Sequence, residues 1–170
     1  MEVVEAVRAA VPESDATSYQ AAAGQTVLVV RPEALTRVLA FLRDDPAQDY
    51  NMLVDITAVD FTPRDGTFHV VYQLLSLRRN ARLTVKVKVP GEDPVVPSAT
   101  GLWKAANWAE REVWDMFGIR FDGHPDLRRI LMYPEFVGHP LRKSYPVDKR
   151  QPLVPERDPI NDPWPSKDGL

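Results

Sequence analysis

The first 97 residues of the chain show apolar residues in two periods, one helical and one extended. Residues 2–10 place several valines on one helical face and are followed by Pro12, which predicts a short helix. The β-branched run TVLVV at Thr26–Val30 predicts a strand. After Pro32, in the favoured first-turn position, apolar residues recur at helical spacing: Leu35, Val38, Leu39 and Leu42. The pattern therefore predicts a helix, a strand and a second, amphipathic helix.

Three more strands are predicted in residues 50–60, 68–77 and 83–89. Asp65-Gly66 and Arg79-Asn80 are the turn signals that separate them. In the last strand apolar residues alternate with threonine and lysine, so that one face is buried and the other meets water. We predict an α+β fold in which residues 1–97 form a small, mostly antiparallel sheet covered by helices on one side.

The organisation changes after Pro97. Residues 98–117 have a helical pattern that allows a break near its middle, and Asn107 stands three positions before Glu110, as in a capping box. Gly118 suits the left-handed residue just past a helix end. Nine of the sixteen prolines follow Gly118, with almost no periodic apolar pattern. We expect residues 98–146 to hold a short charged and aromatic helix with a loop that completes the domain, and residues 147–170 to form an extended proline-rich tail.

Composition argues against several classes of function. A net charge of −3, with 26% charged and 44% hydrophobic residues, gives no general attraction to nucleic acid or acidic lipid. The absence of cysteine excludes disulfides, thiolate zinc sites and iron–sulfur clusters held by this chain's own thiolates. The glycines form no GxG motif, which argues against nucleotide binding. The N-terminus lacks a signal-peptide pattern and no apolar run is long enough for a membrane span, so a soluble protein on the cytoplasmic side is expected.

Residues 110–132 concentrate acids, arginines and aromatic residues, and two kinds of function fit them. Glu112 with Asp115 or His124 could supply an acid and a base, as in a hydrolase or lyase. The structural alternative is an ordinary helix ion pair, since Arg111 lies four residues before Asp115. His124 and His139 match no compact zinc pattern, and histidines in proline loops often bond backbone carbonyls. We therefore expect no metal site, and we expect the arginines to pair with acids at a protein interface.

Two blocks of this region carry a resemblance to a known family. The run EREVWDMFGIRFDGHPDLRRILM, which starts at Glu110, and the run GHPLRKSYP, which starts at Gly138, resemble the 30 kDa subunit (the C subunit) of respiratory complex I, the proton-pumping NADH:quinone oxidoreductase. Similarity of a weaker kind extends back to Ala34. The chain departs from the family pattern in residues 132–136, where methionine is not followed directly by proline, and at Ser144, where an acid is common. These differences concern one loop and one charge.

The resemblance implies a cofactor-free structural subunit of the hydrophilic arm. It implies contacts with the 49 kDa-type subunit and neighbouring iron–sulfur subunits, while FMN, the clusters and quinone are bound by other subunits. It implies a peripheral position on the cytoplasmic face of the inner membrane, in a hetero-oligomer that binds no nucleic acid. The implied partner contacts lie at Glu110, Arg111, Glu112, Trp114, Asp115, Phe117, His124, Asp126, Arg128, Arg129, His139, Arg142, Lys143 and Tyr145. An equivalent subunit of a membrane-bound hydrogenase or a ferredoxin-type quinone oxidoreductase is an alternative, as is the stand-alone hydrolase.

Overall fold

A computed structural model of the chain describes residues 2–153. These residues contain four α-helices and seven strands, with three short 3-10 turns between them. The helices are α1 (Val3–Ala10), α2 (Leu35–Asp44), the single turn α3 (Thr62–Asp65) and α4 (Ala106–Phe117). The strands are β1 (Thr17–Gln20), β2 (Thr26–Val30), β3 (Met52–Asp60), β4 (Thr67–Ser76), β5 (Ala81–Pro90), β6 (Val95–Pro97) and β7 (Arg120–Asp122). Of the predicted tail, residues 154–170 lie outside the described part of the chain.

The main sheet has five strands in the order β1-β2-β5-β4-β3. Three of its neighbouring pairs are antiparallel, and β2 with β5 is the parallel exception. The β3–β4–β5 meander has the turns that the sequence indicated, with Gly66 and Asn80 at positive φ. The predicted α+β fold with a mostly antiparallel sheet is confirmed.

One face of this sheet packs against the helices to form the hydrophobic core. Helices α1, α2 and α4 contribute Val7, Leu39 and Met116 to a single buried cluster. The strands contribute alternate residues such as Val70 and Val85, because successive side chains of a strand point to opposite faces. The helices therefore cover one side of the sheet, as the sequence predicted.

Some local predictions were wrong. The helix begins at Ala106, not near Ser98, because residues 100–105 form turns. Asn107 is not its N-cap; that position belongs to Ala105, which makes no side-chain capping bond. Strand β1 was not predicted because its residues TSYQ show no apolar alternation and all four are exposed.

The region between the sheet and α4 also contains a second, small sheet that the sequence analysis did not predict. It consists of β6 and β7, which run parallel and lie on either side of α4 in the chain. Val96 and Phe121 from these strands are buried in the same core cluster as the main sheet. Within residues 2–153, no helix is long and apolar enough to cross a membrane.

Candidate functional site

Glu110 is a fully buried carboxylate on α4. Its Oε1 accepts a hydrogen bond from the backbone N–H of Ala99 at 2.6 Å, and its Oε2 accepts one from Ser98 Oγ at 2.7 Å. Burial raises the pKa of Glu110 to about 7, although these two hydrogen bonds act in the opposite direction. The side chain therefore fastens α4 to the turn after β6 and has no role in capping its own helix.

Asp115 is the second fully buried acid on α4. Its Oδ1 accepts from Arg129 Nη1 at 2.5 Å, and its Oδ2 accepts the backbone N–H groups of Ile130, Leu131 and Met132 at 2.9–3.1 Å. Burial alone would raise the pKa of Asp115, but these hydrogen bonds outweigh it and hold the pKa below its ordinary value. One carboxylate thus organises the chain that follows β7.

The predicted ion pair between Arg111 and Asp115 is wrong. The Arg111 guanidinium instead donates to the carbonyls of Arg128 and Arg129, at 3.1 and 3.0 Å. Arg129 takes its place beside Asp115, and its other amino group donates to the carbonyls of Phe136 and Gly138. A planar guanidinium with several donors suits this use, since it can bind several oxygens in a fixed geometry.

Arg142 caps the C-terminus of α4. Its Nε donates to the carbonyl of Phe117 at 2.5 Å and its Nη2 to that of Gly118 at 3.3 Å. These are carbonyls that a helix end leaves without an intrahelical partner, and a cation there also interacts favourably with the helix dipole. The guanidinium also lies over the ring of Phe68, 5.2 Å from its centroid. Arg142 therefore joins the helix end to the sheet.

The histidines of the two blocks that start at Glu110 and Gly138 form hydrogen bonds with backbone carbonyls. His124 Nδ1 accepts from the N–H of Asp126, so its Nε2 carries the proton and donates to the carbonyl of Asn107 at 3.1 Å. His139 Nδ1 donates to the carbonyl of Asp115 at 2.9 Å. Burial lowers the pKa of His139, which favours the neutral ring. Within residues 2–153, no three or more histidines and acids form a group that could hold a metal ion.

The other predicted site residues divide between buried and exposed positions. Phe117 lies in the core, and Trp114 is half-buried beneath the Arg129 guanidinium. Arg128 pairs with Asp126 at 3.1 Å, and the ring of Tyr145 stacks on Phe136. Glu112 and Lys143 are exposed side chains. A surface groove near Arg142 is lined by Thr62 and Phe68, and Glu112 and Asp115 do not line it.

Asp60 is a site residue that the sequence analysis missed. It is buried at the end of β3, and its Oδ2 accepts the backbone N–H of Lys143 at 2.7 Å. Its Oδ1 accepts from Thr62. The alternation in β3 could have revealed it, because Asp60 shares the inward face with Ile56 and Ala58.

Large apolar side chains remain exposed on α4 and on the segment that Asp115 organises. We use the name α4 surface for Trp108, Leu131, Tyr133, Val137 and Leu141. Trp108 is 65% exposed with Arg111 lying over its ring, and Leu131 is 56% exposed. Side chains of this size and number in one part of a fold are typical of a protein interface.

Gly118 provides a test of how tightly this region is packed. It has φ +69°, and a Cβ there would lie 2.5 Å from the ring of His139. We expect Gly118→Ala to lower the free energy of unfolding by about 2 kcal/mol or more, from left-handed strain and the clash together. Gly123 is the matched control, because it also has positive φ but nothing lies near its Cβ position. Urea unfolding should show a smaller loss for Gly123→Ala, and equal losses would contradict the close packing.

Comparison with known proteins gives consistent matches. A family model described as respiratory-chain NADH dehydrogenase, 30 Kd subunit, matches residues 28–151. The NADH-quinone oxidoreductase C 2 subunit of Rhizobium meliloti is 45% identical over 147 residues, covering 84% of this chain and 80% of the relative. The NADH-quinone oxidoreductase C subunit of a Roseiflexus species is 47% identical over 145 residues, covering 85% and 83%. The C subunit of Azorhizobium caulinodans is 46% identical, and there the match spans only 61% of the relative's length.

Two solved structures share the fold. The trypsin-resistant fragment of Nqo5 superposes with a TM-score of 0.63 at 38% identity, covering 74% of this chain and 96% of the fragment. A chain from a membrane-bound sulfane sulfur reductase, an archaeal respiratory membrane complex, superposes with a TM-score of 0.71 at 24% identity, covering 85% and 84%. At that identity the second match shows the fold alone.

Proposed function

This chain belongs to the family of the 30 kDa subunit of respiratory-chain NADH dehydrogenase, and from that membership we propose that it is a non-catalytic structural subunit of a proton-translocating NADH:quinone oxidoreductase. Its task is to hold neighbouring subunits of the hydrophilic arm in place, so that electrons pass from NADH through iron–sulfur clusters to quinone. The chain binds no cofactor in this proposal, and FMN, clusters and quinone belong to other subunits.

The hydrogen bonding and exposure of the three acids on α4 support a structural role and argue against hydrolase activity. Both oxygens of Glu110 and both oxygens of Asp115 accept hydrogen bonds from this chain's own groups. Glu112 points to solvent, and within residues 2–153 it makes no ion pair. An acid–base pair needs two groups that converge on a substrate position, and both ring nitrogens of His124 are also used within the chain. The three acids on α4 do not converge in this way: Glu110 and Asp115 each bind backbone and side-chain groups of this chain, and Glu112 is exposed.

The α4 surface is the observation that carries the proposal. Trp108 stands on α4, and the other four side chains stand on a segment that has little regular secondary structure and is fixed by Asp115, Arg129 and Arg142. A fixed segment with exposed aromatic and aliphatic groups can bind a partner without first becoming ordered. We propose that this surface binds the 49 kDa-type subunit and its iron–sulfur neighbours, and that the chain reaches the cytoplasmic face of the membrane through them.

Two alanine substitutions on the α4 surface test this proposal. Leu131→Ala and Trp108→Ala should each weaken binding to the complex, with a loss of about 2 kcal/mol, or roughly 30-fold in affinity, for the tryptophan. Leu77→Ala is the matched control, because Leu77 is 67% exposed and lies in the β4–β5 turn, outside the α4 surface. The measurement is recovery of tagged chain with its partners from gently solubilised membranes, followed by mass spectrometry.

Activity of the recovered complex separates the alternatives. NADH-driven quinone reduction per assembled complex should be unchanged in the variants, while the amount of complex falls. A variant that assembles fully and loses activity would contradict the structural role. Partners of hydrogenase type would point to the equivalent subunit of a different respiratory complex, and a chain recovered alone would favour a stand-alone activity.

A further inference from the structure

The five-stranded sheet has a second face, on the side opposite to helices α1, α2 and α4. Val27 and Val71 point to this side, and although both are buried they are not members of the core cluster that contains α1, α2 and α4. We call it the outer sheet face. Its apolar, aromatic and basic side chains are Tyr19, Val27, Met52, Val59, His69, Val71, Arg82, Lys86 and Lys88, and the same register adds the polar Asp55, Thr57, Gln73 and Thr84.

The strand register places these side chains in rows across the sheet. Val59 on β3 is opposite His69 on β4, which is opposite Lys88 on β5. In a neighbouring row, Val71 on β4 is opposite Lys86 on β5. Directly opposed residues of adjacent strands point to the same side and contact each other. The outer sheet face therefore carries valines on β3 and β4 and cations on β5, and it is crossed by one polar row of Asp55, Gln73 and Thr84.

The apolar half is incompletely covered. Val59 and Tyr19 are 42% and 45% exposed, and Met52 at the far end of β3 is exposed to a similar extent. They belong to the two edge strands and frame the buried Val27 and Val71. An antiparallel sheet commonly leaves one face in water, but that face is then polar, whereas this one leaves apolar side chains partly in water.

The basic half has few compensating charges. Arg82, Lys86 and Lys88 lie on one strand, and among the described residues none of them forms an ion pair. Lys86 Nζ instead donates to the hydroxyl of Tyr19 at 2.7 Å, and Lys88 has longer-range interactions with Asp65 and His69. The cations of β5 are therefore available to a partner.

His69 lies between the two halves and adds little charge of its own. Both of its ring nitrogens lack a hydrogen-bond partner in the described structure, and Nε2 lies 3.6 Å from Asp65 Oδ2. Burial, with Lys86 and Lys88 nearby, lowers the pKa of His69 and favours the neutral ring. The positive charge of the face therefore comes from β5.

We propose that the outer sheet face is a second docking surface, separate from the α4 surface, which receives an apolar segment bearing carboxylates from another subunit of the same complex. The inference rests on the proposed function. Carboxylates are required because the cations of β5 need opposite charges when a partner excludes water from them.

Site-specific photo-crosslinking in the assembled complex tests the proposal. A benzoyl-phenylalanine in place of Val59 should form a crosslink to a peptide of another subunit that contains aspartate or glutamate. The same group in place of Glu5, an exposed residue on α1 at the helical side, is the matched control and should give at least about tenfold less of that product. A crosslink to this chain's own residues 154–170, or to a second copy, would overturn the proposal.

A third crosslinking position separates this inference from the proposed function. The group in place of Trp108 reports on the α4 surface. If the Trp108 position yields partner crosslinks and the Val59 position yields none, the proposed function stands and the second docking surface is wrong. If neither position yields a crosslink in a purified complex that contains the chain, both proposals fail.

Charge substitution at Lys88 provides an independent measurement. Lys88 is exposed and makes no hydrogen bond to the described residues, so Lys88→Glu should leave the circular dichroism spectrum unchanged. We expect Lys88→Glu to lower recovery of the chain in the complex about tenfold at low salt, and Lys88→Arg to retain it. Equal recovery of the two variants would show that no carboxylate faces β5.

Discussion

Replacing Asp115 with alanine is expected to lower the free energy of unfolding by about 3–5 kcal/mol, the loss typical of removing one partner of a buried ion pair. The substitution leaves the half-buried Arg129 without its carboxylate. It also leaves the N–H groups of Ile130, Leu131 and Met132 without their acceptor, and buried donors without acceptors are costly. Urea unfolding followed by circular dichroism measures the change.

Glu112→Ala is the control for this prediction. Glu112 lies three residues away on the same helix but is exposed, so its removal should change stability by no more than about 0.5 kcal/mol. Asp115→Asn should fall between the two, because the amide oxygen still accepts N–H groups but no longer pairs with a charge. A loss below about 1 kcal/mol for Asp115→Ala would show that the segment after β7 is held in some other way.

The second prediction concerns pH. The pKa of Glu110 is raised to about 7 in the folded chain from an ordinary value of 4.5. The protonated carboxyl is therefore favoured by folding, and its stabilising contribution is complete below pH 4.5 and is lost as pH rises through 7. Glu110→Gln keeps the shape of the neutral form and has no proton to lose. Relative to this variant, the unsubstituted chain should lose about 2–3 kcal/mol between roughly pH 5 and pH 8.

Urea unfolding of both proteins at the two pH values measures this difference. His69 and His139 also titrate, but they are present in both proteins and their effects cancel in the comparison. If both proteins show the same pH dependence, Glu110 is not protonated in the folded state near neutral pH. Ser98→Ala should raise the pKa of Glu110 further, because it removes a hydrogen bond that favours the charged form.

Most of the fold was predictable because local patterns determine it. The meander β3–β4–β5 follows from apolar alternation and two turn signals, and α2 follows from the helical spacing after Pro32. Gly118 was correctly placed at the end of α4, since left-handed φ strongly favours glycine. Strand β1 was not predictable in this way, because it owes its existence to pairing with β2 and not to a pattern of its own.

The sequence could not predict which groups the charged residues of α4 contact. Arg111 and Asp115 have the spacing of a helix ion pair, yet each finds better partners in residues 128–132, which the turn after β7 brings alongside α4. The burial of Glu110 likewise depends on Ser98 and Ala99, which lie just past β6 and reach α4 only through the tertiary fold. A helical spacing rule compares neighbours on one helix and cannot weigh them against groups supplied by tertiary structure.

The bond from the Lys143 backbone to Asp60 has a consequence for how the segment after α4 moves. This segment is attached at one end to α4 through Asp115, and near its other end to the last residue of β3. A chain fastened at both ends to a rigid body moves with that body and cannot swing about one hinge. The distance between the α4 surface and the outer sheet face is then fixed by the fold. Subunits bound to the two surfaces would be kept at a constant separation, as by a spacer.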